Sequence, residues 1–157
     1  MAPHSSSVRL SRRHDALKNK LGAWSTERGS VESWQPAPGV IVTLAGGHLD
    51  RELADRIIES VNAGAAGGPR LIAFHDWEAL TSYESEARTA LTTWGFDIRS
   101  GVERVHILVR SKLVRMGVSV ASIVLVGMIV AHGERTKFDR ELFAALAARK
   151  PGPFSSR

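Results

Sequence analysis

Leu71-Ile72-Ala73-Phe74 runs directly into His75-Asp76-Trp77, and Thr81-Ser82-Tyr83-Glu84 follows a few residues later. The first four are a short apolar run behind a Gly-rich connection, Ala65 to Pro69, which is the signature of a buried strand. Thr81 and Glu84 match the S/T-x-x-E capping box, in which a hydroxyl and a carboxylate satisfy the first free N–H groups of a helix. The spacing therefore predicts a strand ending near Phe74 and a helix starting near Ser82. That helix carries Ala87, Leu91 and Trp94 inward and is interrupted by Gly95 and Ser100-Gly101.

The same strand-then-helix unit precedes this stretch and follows it. Val40-Ile41-Val42-Thr43-Leu44 is a β-branched run suited to a strand covered on both faces, with Gly46-Gly47 expected to end it. Asp50 fits an N-cap, and Leu53, Ala54, Ile57, Ile58 and Val61 fall at helical spacing up to Gly64. Val102 to Val109 reads as a third interior strand, with Val105, Ile107 and Val109 on one face. A helix from Lys112 to about Val126, a break at Gly127, a strand at Met128 to Ala131 and a helix from Thr136 to Arg149 complete the pattern. Upstream, Ala23 to Trp34 alternates weakly before Pro36-Ala37-Pro38-Gly39, as an edge strand and turn would. The alternation implies an α/β domain: a mainly parallel sheet of four to five strands, packed by about four helices, with an N-terminal edge strand.

With 157 residues, 43% hydrophobic and 24% charged, the chain fits one globular domain. Residues 1–22 read as a flexible basic arm, 23–150 as the domain and 151–157 as a C-terminal tail. Arg9, Arg12, Arg13, Lys18 and Lys20 place much of the +5 net charge in the arm, and no stacking ladder or helix-turn-helix pattern accompanies it, which argues against nucleic acid. The opening Met-Ala-Pro-His-Ser-Ser-Ser lacks the apolar core of a secretory signal, so a cytoplasmic protein is expected. Met116 to Ala131 is apolar but shorter than the about 20 residues a membrane span needs, and Arg115 and His132 bound it. There is no cysteine, so any metal would need His or carboxylate ligands.

Gly47-His48-Leu49-Asp50, a strand-ending GxLD pattern followed by an amphipathic helix, resembles the STAS superfamily of anti-sigma-factor antagonists. The order of elements over residues 23 to 150 is similar to the SpoIIAA-like, or STAS/SEC14-like, branch. In those domains the second core strand leads to an Asp-Ser-Gly type loop whose serine sits at a helix start. Leu80-Thr81-Ser82-Tyr83-Glu84 has neither the Asp before the serine nor the Gly after it. The branch that lacks this motif implies a non-enzymatic binding module for a protein or an apolar small molecule, with no cofactor.

Two groups of residues stand out as candidate sites. Asp76, Thr81, Ser82, Tyr83 and Glu84 form the expected partner-binding surface. Ser82 is a potential phosphoacceptor if it lies at a helix N-terminus, where the dipole favours anions, although capping alone accounts for these residue types. His48, His75, Ser111 and His132 fall at the carboxyl ends of strands, where open parallel sheets collect ligands. Convergence of the histidines would indicate a hydrolase-like enzyme, but no HxH or HExxH spacing pairs them and no metal site is expected. Met116, Val118, Val120 and Ile123 to Val126 make a helix apolar nearly all round, suited to burial, to a homodimer interface or to the wall of an apolar pocket. A closed cavity beneath residues 113 to 126 would mark a small-molecule or lipid-binding module. An open, partly apolar surface beside Ser82 would mark a protein-binding one.

Overall fold

The computed structural model describes His14 and residues 17–150. The remainder of the 1–22 arm and the 151–157 tail lie outside the described residues. The chain opens with a hairpin, β1 (Lys20–Ser25) and β2 (Gly29–Ala37), turned around Thr26, whose hydroxyl accepts the N–H groups of Arg28 and Gly29. The single edge strand expected over Ala23 to Trp34 is thus two antiparallel strands, and the sheet starts before residue 23. It continues through β3 (Val40–Leu49), β4 (Leu71–Tyr83), β5 (Val102–Val109) and β6 (Ile129–His132), with β2 and β3 antiparallel and β3 to β6 parallel. The sheet is six-stranded and mixed, and its strands lie side by side in chain order.

The helices between the parallel strands are α1 (Arg51–Ala65), α2 (Ser85–Ile98) and α3 (Lys112–Val124), and α4 (Arg135–Ala148) closes the fold. Parallel crossovers are right-handed, so three successive crossovers that always step to the next strand must place their helices on the same face. The packing agrees. Leu53, Ile57 and Val61 of α1, Ala87 of α2, and Val114 and Val118 of α3 share one core with Ile41, Trp77, Ile107 and Val109 of the sheet. Phe138 and Leu142 of α4 join the opposite face, with Trp34, Val40, Val42, Phe74 and Leu108. Alternation within a strand divides the residues between the two cores, so β3, β4 and β5 are buried on both sides.

Two strands run further than their sequences suggest. Gly46-Gly47 does not end β3; the register with β4 shifts on either side of the pair, and Gly47, at φ +75°, lies backbone to backbone against Arg28 and Gly29. The glycines make a bulge, and a side chain at Gly47 would meet both a left-handed backbone and the Arg28 carbonyl. β4 likewise continues to Tyr83, pairing His48 with Ser82 and Leu49 with Tyr83. The helix expected to start near Ser82 starts at Ser85 with Glu84 as N-cap, and no side chain caps it. The Thr81/Glu84 capping box is therefore not formed.

At α1 the cap is made: Asp50 Oδ1 accepts the Leu53 N–H at 2.8 Å. Asp50→Ala should therefore cost about 1 kcal/mol in urea denaturation, whereas Thr81→Ala should cost clearly less, since its hydroxyl caps no helix.

Candidate functional site

The β3 bulge carries His48 across from the end of β4, and a compact polar patch forms there. His48 Nδ1 lies 2.7 Å from Ser82 Oγ, and its Nε2 is 3.7 Å from Glu84 Oε1, too long for a hydrogen bond. Thr81 donates its hydroxyl to the Gly47 carbonyl at 3.1 Å. Ser111 caps α3 by accepting the Val114 N–H, and its own hydroxyl donates to the Thr81 carbonyl at 3.2 Å. Tyr83 packs its ring on Gly117 of α3, an approach that a Cβ at position 117 would block. Thr81, Ser82, Tyr83, Glu84, His48 and Ser111 thus meet at one end of the sheet. Ser82 belongs to a strand end and is engaged by His48, so the helix-dipole argument for a phosphate there does not hold in this structure.

The patch runs onto the outer face of α3. Val114, Gly117 and Val118 point inward, while Leu113, Met116, Val120, Ile123, Val124 and Val126 are exposed, Met116 at 60% and Ile123 at 75%. From Arg110 to His132 there is no Asp or Glu, and Arg110, Lys112 and Arg115 stand exposed at the end nearest Thr81. The outcome is an open apolar strip with a cationic end, beside the polar patch.

The other candidates lie elsewhere. His75 is on the face covered by α1 to α3, its Nδ1 2.6 Å from Thr43 Oγ1 and its ring stacked on Trp77; burial pushes it down to about 4, so it is neutral near pH 7. His132 lies on the opposite face, Nε2 to Nδ1 of His106 at 2.9 Å, among Phe74 and Phe138. Burial, aided by His132, takes His106 to about 4 as well, and burial lowers His132. His48, His75 and His132 therefore do not converge. Among the described residues no three His, Asp or Glu side chains group as metal ligands.

Asp76 is separated from Thr81 to Glu84, because it points from β4 into the α4 face. It is wholly buried, held by both oxygens to Arg135 Nη2 at 2.8 and 2.9 Å and by His14 Nε2 at 2.9 Å. Burial alone would raise its carboxyl, but the hydrogen bonds from His14 and Arg135 outweigh it and hold the group below its ordinary value. Asp76 is an anchor for α4 and for His14 rather than part of the exposed patch. Sequence reasoning did not foresee this network. Its members are 59 and 62 positions apart, and the one local signal was an acidic residue inside an apolar strand.

Arg135→Met should cost about 3 to 5 kcal/mol in chemical denaturation, by stranding a buried carboxylate, and adding Asp76→Leu should recover part of it. Stability should also fall as the pH drops from about 6.5 toward 4. His75 and His106 have folded values near 4 and unfolded ones near 6.5, so across that interval the unfolded chain binds more protons. Melting temperature against pH checks the sign, and His106→Phe should flatten the slope.

No family model matches the chain, and no curated protein matches it. Solved structures do. An uncharacterized protein of the DUF3478 family with a SpoIIAA-like fold, from Shewanella loihica PV-4, is 18% identical with a TM-score of 0.56, the match covering 77% of this chain and 99% of that one. The anti-sigma factor antagonist SpoIIAA in its unphosphorylated form is 16% identical with a TM-score of 0.55, over 72% of this chain and 96% of its own. The six strands in chain order, the α1 to α3 layer and the lone α4 behind the sheet are thus a SpoIIAA-like, STAS-type fold.

Proposed function

We propose that the chain is a non-enzymatic regulatory module of the cytoplasm that binds another protein through the end of β4 and the outer face of α3. The observation that carries this reading is the exposed apolar strip Leu113, Met116, Val120, Ile123 and Val124, adjoining Thr81 to Glu84. Exposed large apolar side chains gathered on one helix mark an interaction surface, whereas scattered ones need no explanation. A helix-in-groove or helix-on-helix contact would bury this strip while Arg110, Lys112 and Arg115 met carboxylates at the rim. The fitting partner is therefore a protein with an apolar patch edged by acidic residues. The likeness to an anti-sigma factor antagonist supports a regulatory partner, and the separation of His48, His75 and His132 weighs against a shared catalytic edge built from those three. Control by a phosphate at Ser82 would require breaking its contact with His48 first.

The test is retention from native cell extract on immobilised full-length chain, with mass-spectrometric identification. A specific protein should be retained by wild type and lost with Met116→Glu/Val120→Glu at unchanged melting temperature, and Ser82→Asp should weaken it. Recovery of only the chain itself, or of proteins indifferent to all these substitutions, would sink the reading.

A further inference from the structure

Ser82 stands part-exposed at the end of β4, and Nδ1 of His48 lies 2.7 Å from its Oγ. The other ring nitrogen of His48 is buried and makes no hydrogen bond among the described residues, and the Glu84 carboxylate lies 3.7 Å from it. Glu84 begins α2 without a side-chain cap bond, so its carboxylate is not committed to the helix. An anionic oxygen on the Nε2 side favours the tautomer with its proton on Nε2, which turns the Nδ1 lone pair toward the hydroxyl. A hydroxyl, a base within hydrogen-bond reach and a third group that orients the base make the arrangement that activates a serine. The hydroxyl–imidazole pair of Thr43 and His75, at 2.6 Å, differs in both access and orientation: Thr43 is wholly buried, and an indole rather than a carboxylate packs on the ring.

We infer that Ser82 is an acyl-acceptor site, its Oγ taking an acyl group from a small activated donor, a thioester or an aryl ester, with His48 as the base. Oγ attacks the carbonyl carbon while its proton passes to His48 Nδ1. As the tetrahedral intermediate collapses, the bond to the leaving group breaks, and the imidazolium returns that proton to the departing thiolate or aryloxide. The products are an ester at Ser82 and a free thiol or phenol, with His48 neutral again. An imidazole base supports transfer from donors with good leaving groups, which sets the donor class. The ester should persist, because the His48 side chain is 11% exposed and a hydrolytic water has little room beside it. Ser82 also lies in the surface assigned above to a partner, so an effect of the ester on that contact rests on the partner reading, while the acylation itself does not.

The probe is p-nitrophenyl acetate added to the full-length chain, with nitrophenolate release followed in time and the acetylated residue located by mass spectrometry. No partner is present in this assay, so the acylation and the partner reading can each fail without the other. One equivalent should be released in a burst with little turnover after it, and the acetyl group should map to Ser82 and not to Thr43. Ser82→Ala should abolish the burst. His48→Gln retains an oxygen for the serine hydroxyl but cannot take its proton, so the burst should slow about a hundredfold or more. Glu84 is a positioning residue, and Glu84→Gln should slow the burst about tenfold or more while leaving its amplitude at one equivalent. That side chain is part-exposed and caps no helix, so the variant keeps the test open where His48→Gln does not fold. Absence of a burst, a burst that survives Ser82→Ala, undiminished rates in His48→Gln and Glu84→Gln, or sustained turnover would overturn the site.

Discussion

Each parallel strand of this sheet is laid beside the one before it by a right-handed crossover, and that constraint decides the rest of the architecture. It stacks α1, α2 and α3 on one face and leaves the other to a single helix, with His14 and Leu17 beside it. The two faces therefore differ in kind. One is a deep apolar core, while the other is thinner, and there a buried ion pair joins aromatic packing in holding the cover in place. It also brings the ends of β3, β4 and β5 together at the start of α3, which is why Gly47, Thr81 and Ser111 can bond in sequence across three strands.

α3 is central to the proposed function because only a narrow stripe of its outer side, Lys112, Arg115, Ser119 and Ser122, is polar, and large apolar residues flank it. In an ordinary surface helix the outward positions are polar, and burial of one face is enough. Here Val114 and Val118 serve the core while Met116 and Ile123 meet solvent, so the helix is apolar on two sides for two reasons. The inner side depends on Gly117 and Gly95, which let α3 close on Tyr83 and let Leu125 reach α2.

Much of the framework was legible in the sequence because periodicity and caps are local. The Val40–Leu44 and Val102–Val109 strands, the Asp50 cap, and the break at Gly127, where φ is +77°, all appear where residue type and spacing put them. The end of β4 was misread for an equally local reason. Thr81-Ser82-Tyr83-Glu84 has the chemistry of a helix start, and only the bulge in β3, which extends the pairing to Leu49 and Tyr83, keeps it as strand. The hairpin β1–β2 was compressed to one strand because Pro36 and weak alternation hid the turn at Thr26. Of the site, Thr81 to Glu84 with His48 and Ser111 was identified by type but not by arrangement. The partners of Asp76 and the imidazole that meets Ser82 depend on contacts across the fold, which spacing does not encode.

The pairing of Asp76 with Arg135 has a temporal meaning as well. Chains are made from the N-terminus, and β4 leaves the ribosome well before α4 does. Throughout that interval the α1 to α3 layer can assemble strand by strand, while Asp76 faces an uncovered surface and stays hydrated. His14 is made early, but the arginine that meets both carboxylate oxygens arrives only with the last helix, at the same moment that Phe138 and Leu142 cover Phe74. The second face is thus withheld from closure until synthesis of α4 is complete, and a prematurely ended chain would carry an exposed acidic group where the finished one carries its anchor.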